Sequence, residues 1–197
     1  GAGSNVLINN IFLKGLTICT KKMRSIKIES HSGIVEADAG VMLPTMSNIL
    51  AKNGLQGGEW TVGIPGTVGG AICMNAGSGK LSLANNLLSV QVIDTKTLEI
   101  SEIKKNDINF KYRYSPFQQN NLVIVSAKLI FEPKGNIDTL LKTTRKNLKR
   151  KTETQPYDLP SFGSVFKNPP HTYAGKLIEE LGLKGLQVGG AEVSTMH

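Results

Sequence analysis

Ser161-Phe162-Gly163-Ser164-Val165-Phe166-Lys167-Asn168-Pro169 sets a serine directly after a glycine, where its hydroxyl is expected to stand exposed. No Gly-x-Ser-x-Gly elbow surrounds it, and histidine is scarce (His31, His171 and His197). A hydrolase triad is therefore poorly supported. A serine without a base partner can still donate a proton where the site stabilises its alkoxide or relays a proton to it. The second candidate is Arg113, set between aromatics in Phe110-Lys111-Tyr112-Arg113-Tyr114-Ser115. Its guanidinium either caps a sheet edge by stacking or offers a fixed cation to a carboxylate.

Two Gly-rich loops carry a different signal. Gly1-Ala2-Gly3-Ser4-Asn5 lets backbone N–H groups approach a ligand closely, as a pyrophosphate cradle needs, with Ser4 and Asn5 adding donors. It runs into a strand-like segment instead of following a strand into a helix, so it is not a Rossmann fingerprint; a tight turn is an equal reading. In Gly63-Ile64-Pro65-Gly66-Thr67-Val68-Gly69-Gly70-Ala71, Pro65-Gly66 suits a turn with positive φ at the glycine. Gly69-Gly70 would leave no side chain between the backbone and a flat ligand. The alternatives are a structural loop or a surface along which a cofactor lies.

The elements that must position these residues are short and mixed. Val6 to Ile8, Ser25 to Glu29 and Ile34 to Ala39 read as strands. Pro44 to Lys52 reads as a helix opened by proline and stopped at Asn53-Gly54. The stretch from Gly57 to Gly70 is expected to hold no regular element. Leu87 to Asp94 and Leu98 to Ile103 suggest a hairpin, and Leu122 to Phe131 a further strand. Asn136 to about Lys151 reads as a helix with Ile137, Leu140, Leu141 and Leu148 on one face and basic residues largely on the other. Thr172 to Leu181 reads as another helix, ended at Gly182. Without a regular βαβ alternation, the fold class expected is α+β.

Composition narrows the function. The 197 residues are 40% hydrophobic and 19% charged, as in ordinary globular domains. Cys19 and Cys73 form no disulfide framework, and no Cys/His cluster has zinc spacing, so no metal is expected. With no signal peptide and no long apolar run, no membrane association and a reducing, cytoplasmic setting are expected. The net charge of +8 is a solvated basic surface or an attraction for anionic ligands. Its densest part is Arg145, Lys146, Lys149, Arg150 and Lys151. No zinc-finger, helix-turn-helix or RNP pattern appears, so no nucleic acid is expected.

These motifs, in this order, resemble the UDP-N-acetylenolpyruvoylglucosamine reductase (UDP-N-acetylmuramate dehydrogenase) family of bacterial peptidoglycan synthesis. Besides the two Gly-rich loops, Tyr112-Arg113 and Gly163 to Pro169, the resemblance rests on Ala174-Gly175-Lys176-Leu177-Ile178-Glu179 and Gly189-Gly190-Ala191-Glu192-Val193-Ser194. Each motif is modest alone; together they span nearly the whole chain and are specific. The short interval from Arg113 to Ser164 resembles the subtype without an extra substrate-capping tyrosine loop. After Asn75-Ala76-Gly77 the chain departs from the pattern: Ser78-Gly79-Lys80 stands where many members have Ala-Tyr-Gly.

The resemblance implies a fold, a reaction and site residues. The fold is an FAD-binding domain of the vanillyl-alcohol-oxidase/PCMH type over 1–133, a helix and linker over 134–155, and a small α+β substrate-binding domain over 156–197. NADPH reduces FAD, which then reduces the enolpyruvyl group of the UDP-sugar. Ser164 is expected to protonate the carbon left carbanion-like, while Arg113 binds the enolpyruvyl carboxylate and stabilises the developing enolate. Gly1, Ala2, Gly3, Ser4 and Asn5 match the flavin-pyrophosphate loop. Ile64, Pro65, Gly66, Thr67, Gly69, Gly70 and Ala71 match the segment along the flavin ring. Tyr112, Arg150, Lys167, Asn168, Lys176 and Gln187 are the further substrate-binding candidates. A monomer is expected. The resemblance also implies a chain cut at both ends, with a catalytic glutamate beyond His197, and a 197-residue piece inactive by itself.

Two other classes stay open on sequence grounds. Another FAD-dependent oxidoreductase of the same superfamily, acting on an alcohol or sugar, would often tether its flavin to His or Cys. A basic binding module would lack flavin and bind polyanions in a salt-dependent way.

Overall fold

The computed structural model describes residues 1–9 and 15–197. They divide into two compact units, Gly1–Asn147 and Leu148–His197.

The first unit is built on β1 (Ile26–Glu29), β2 (Ile34–Asp38), α1 (Leu43–Lys52), α2 (Val68–Cys73), β3 (Gly77–Ser78), β4 (Leu81–Ser82), β5 (Leu87–Asp94), β6 (Ile100–Lys104) and β7 (Leu122–Ile130). The main sheet is antiparallel, in the order β1-β2-β7-β5-β6. Alternation along β2 buries Val35 and Ala37 and leaves Ile34, Glu36 and Asp38 half-exposed. Between β5 and β7 the register slips once at Leu88 on β5 and again at Val125 on β7. Each extra residue shifts the alternation of its own strand by one: the buried apolar positions of β5 pass from Leu87 to Val90 and Val92, and those of β7 from Ile124 to Ala127 and Leu129. Buried positions nevertheless oppose buried positions before, between and after the two slips: Leu87 faces Leu129, Val90 faces Ala127 and Val92 faces Ile124, all buried.

One apolar cluster joins these strand residues to Leu43, Met46 and Leu50 of α1 and to Val68, Ala71 and Ile72 of α2. Helix α1 starts with Pro44 in its first turn and ends where the Asn53 side chain donates to Ile49 O (2.8 Å) and Gly54 turns to φ +67°.

Three sequence expectations change. Val6 to Ile8 is not a strand: residues 6–9 carry no regular structure, and Val6, Leu7 and Ile8 are exposed with no ladder partner among the described residues. Leu98 falls outside β6, because the Asp94 carboxylate accepts from the Lys96 and Thr97 amides and the turn sets Leu98 at φ +61°. The Gly-rich stretch is not irregular throughout, since it contains a 3-10 turn at Glu59–Gly63 and helix α2. Each glycine costs a helix roughly 1 kcal/mol relative to alanine. Burial of Val68, Ala71 and Ile72 offsets that cost in a helix whose value is in packing.

Helix α3 (Ile137–Thr154) runs past the division at residue 147, one turn beyond its expected end. Asn136 accepts from the Thr139 amide at its start (2.9 Å). Of the expected apolar face only Leu140 is buried, joined by Thr144, while Ile137 and Leu148 are exposed. The second unit holds α4 (Ala174–Glu180), closed by Gly182 at φ +67°, and a small hairpin of β8 (Gln187–Val188) and β9 (Ala191–Glu192). No residue of 148–197 is buried.

Candidate cofactor and substrate site

The two Gly-rich loops meet. Ser4 Oγ donates to Pro65 O at 3.0 Å, and Gly66 (φ +139°) packs so close that a Cβ there would stand 3.3 Å from Ser4 Oγ. Gly3 takes φ +77°, with open space where a side chain would be. Beside the joined loops lies a cleft of about 250 Å³, and Gly1, Thr67, Gly69 and Gly70 line it.

Helix α2 orders the second loop. Thr67 caps it by accepting from the Gly70 amide (3.4 Å). The Val68 and Gly69 amides are taken by Val41 O (2.8 Å) and Ala39 O (2.9 Å), so these donors fasten the helix to the sheet and do not point at a ligand. Gly69 is needed for that contact: a Cβ there would lie 2.7 Å from Ala39 Cβ. Ala71 is buried in the core. Exposed Gly70 and buried Thr67 line the cleft, and Ile64 lies half-buried against the core.

The remaining walls escaped the sequence reading. Thr20, Ala39, Cys73, Phe117 and residues 122–124 of β7 also line the cleft. Nothing in their local spacing marks them; pairing of distant strands brings them here. Burial pushes the Cys73 thiol above its usual pKa.

Arg113 sits at φ +52° in the connection between β6 and β7. Its Nη2 donates to Gly77 O at 2.8 Å, and its guanidinium lies 5.2 Å from the centre of the Tyr112 ring. Gly77 admits this: a Cβ there would stand 2.3 Å from Leu81 O and 3.2 Å from Arg113 Nη1. Arg113 stacks on an aromatic, and its head is fixed while still half-exposed. Ser78 ends β3, and Gly79-Lys80 forms the tight turn to β4, with Gly79 at φ +62° and Lys80 exposed.

The other candidates belong to the second unit. Ser164 is exposed and follows Gly163 at φ +65°, whose amide donates to Ser161 Oγ (3.0 Å). Asn168 Oδ1 accepts from the Ala174 amide at the start of α4 (3.0 Å), leaving its NH2 as the donor end. Lys176 pairs with Glu180 at 3.6 Å, and Gln187 Nε2 donates to Glu192 Oε2 at 2.8 Å. Arg150, on the last turns of α3, and Lys167 are exposed.

Residues 1–100 match the family described as FAD binding domain, and residues 155–197 match the UDP-N-acetylenolpyruvoylglucosamine reductase, C-terminal domain. A UDP-N-acetylenolpyruvoylglucosamine reductase from Prochlorococcus marinus subsp. pastoris is 85% identical over 197 residues, which are 100% of this chain and 67% of that protein. The chain belongs to the UDP-N-acetylenolpyruvoylglucosamine reductase family. A Synechococcus reductase of the same name is 46% identical over 100% of this chain and 65% of its own length. The crystal structure of the reductase from Thermus caldophilus superposes with a TM-score of 0.73 at 34% identity, over 82% of this chain and 59% of that one. The chain thus spans about two thirds, or less, of the length of these reductases. The expected order of an FAD-binding domain followed by the reductase C-terminal domain holds.

The cleft fits part of a flavin dinucleotide. Gly1 and Gly70 line it without side chains, and its volume of about 250 Å³ lies below the roughly 300–1,000 Å³ of sites that enclose a whole drug-sized ligand. Among the described residues no His/Cys/Asp/Glu group could hold a metal ion, and no helix is long and apolar enough to cross a membrane.

Proposed function

We propose that the whole protein uses NADPH and FAD to reduce the enolpyruvyl group of UDP-N-acetylglucosamine enolpyruvate to UDP-N-acetylmuramate. The observation that carries this reading is the joining of the two Gly-rich loops by Ser4 and Pro65 beside a cleft, in a chain of this family. When bound there, FAD supplies the hydride chemistry.

The chain's own residues have separate tasks. Gly1, Ala2, Gly3, Ser4 and Asn5 hold the pyrophosphate. Ile64 to Gly66, Thr67 and Gly70 lie along the cofactor, and Gly69 and Ala71 support them from the core. Arg113 binds the substrate carboxylate, with Tyr112 beside it. A guanidinium already fixed by Gly77 O and the Tyr112 ring needs little rearrangement as enolate charge develops. Such preorganised donors are commonly worth about 3 to 4 kcal/mol of barrier. Ser164 Oγ delivers the proton to the substrate carbon. Lys167, Asn168 and Arg150 bind the diphosphate, with Lys176 and Gln187 as further contacts. We read the domains as 1–133 for FAD and 156–197 for substrate, joined by 134–155. We further read the protein as a cytoplasmic monomer with no nucleic-acid or membrane partner.

Ser164→Ala in the full-length protein separates the steps. Flavin reduction by NADPH stays intact, while reoxidation by the UDP-sugar slows by about 10²- to 10⁴-fold in stopped-flow absorbance. Equal slowing of both half-reactions would remove Ser164 from the proton-donor role.

A further inference from the structure

We infer that Gln118 is a positioning residue for Arg113, tying it to the wall of the cofactor cleft; the inference rests on the carboxylate-binding role proposed for Arg113. Gln118 ends a short 3-10 turn, Pro116–Gln118. Its Nε2 donates to Cys73 O at 3.0 Å and to Arg113 O at 3.2 Å. Both partners are backbone carbonyls, so the nitrogen of the amide must face them, and its two hydrogens serve one each.

Arg113 needs such a tie. A non-glycine residue at φ +52° is strained, and the conformation persists only where its surroundings hold it. Several bonds do so. Lys111 and Tyr114 exchange N–H···O bonds of 3.1 Å, which closes the turn on both sides of the arginine. Asn75 Nδ2 donates to Lys111 O (2.9 Å), and buried Ser115 donates to Cys73 O (2.6 Å). Gly77 O holds the guanidinium. Within this set, Gln118 is the side chain that reaches the arginine's own carbonyl and the cleft wall together. Cys73 is the last residue of α2 and lines the cleft. A shift of α2 on filling the cleft would therefore reach Arg113 through one amide.

The experiment uses full-length protein with Gln118→Met, which keeps length and removes the donors, and Gln118→Lys, whose ammonium can again serve two carbonyls. Arg113→Ala is the control. The expected result for Gln118→Met is about tenfold slower flavin reoxidation by the UDP-sugar, the scale on which small misplacements act, with reduction by NADPH within about twofold. Gln118→Lys restores most of the loss. In protein without substrate, amide exchange at Tyr114 rises in Gln118→Met and falls back in Gln118→Lys. If Arg113→Ala leaves reoxidation unchanged, the role of Arg113 falls and this inference with it. If Arg113→Ala slows reoxidation but Gln118→Met does not, or slows both half-reactions alike, the positioning role of Gln118 alone is overturned.

Discussion

Cys73 reports on the cleft beside the Gly-rich loops without any need for turnover. It lines the cleft, is half-buried, and its desolvation disfavours the thiolate. The folded state therefore holds this proton more tightly than the unfolded chain, whose thiol titrates near 8.5. The contribution to stability is fully present below that value and is lost as pH rises through the higher, folded pKa. Alkylation of Cys73 in folded protein is expected to rise only at pH above the ordinary thiol range, and to slow further when FAD is added. Peptide mapping after iodoacetamide treatment measures both. Labelling indifferent to FAD would take the flavin out of this cleft. No sequence signal marked Cys73, because its chemistry follows from burial next to β7.

Helix α2 meets the residue just after β2 through glycine. A Cβ at position 69 would stand 2.7 Å from Ala39 Cβ and 3.3 Å from Ala39 Cα, neither of which can swing aside. Gly69→Ala is expected to destabilise the protein by about 1–3 kcal/mol, the usual cost of overpacking. Ala39→Gly removes the opposing methyl, so the double variant should recover part of the loss in denaturant melts. Additive losses would mean that the two positions do not touch. The Gly-Gly pair was legible in sequence as a place where side chains are not tolerated. What lies opposite was not: at Gly69 it is the sheet, and at Gly70 the cleft.

At the scale of the whole molecule the two units differ in what holds them. The first has a continuous core from β2 to α2, and the second has no buried residue. Backbone hydrogen bonds over a dry core open only with the unit, whereas solvent-facing ones open locally. In the 197-residue chain, amides of β2, β5 and β7 are expected to exchange orders of magnitude more slowly than those of α4, β8 and β9. Hydrogen exchange with mass spectrometry resolves this directly, and equal protection across the two units would contradict it.

The sequence by itself determined the mixed α+β class, the main strands, the ends of α1 and α4, and the motifs that mark this reductase family. Those depend on local chemistry: alternation, proline and glycine at helix ends, and short loops whose residue types have few substitutes. Tertiary structure alone decided that Val6 to Ile8 has no ladder partner among the described residues, that α2 forms within the glycines, and where β5 and β7 each take in an extra residue. It also decided the cleft walls and the ties around Arg113. These depend on which carbonyls and side chains arrive from distant parts of the chain, and spacing along the sequence carries no record of that.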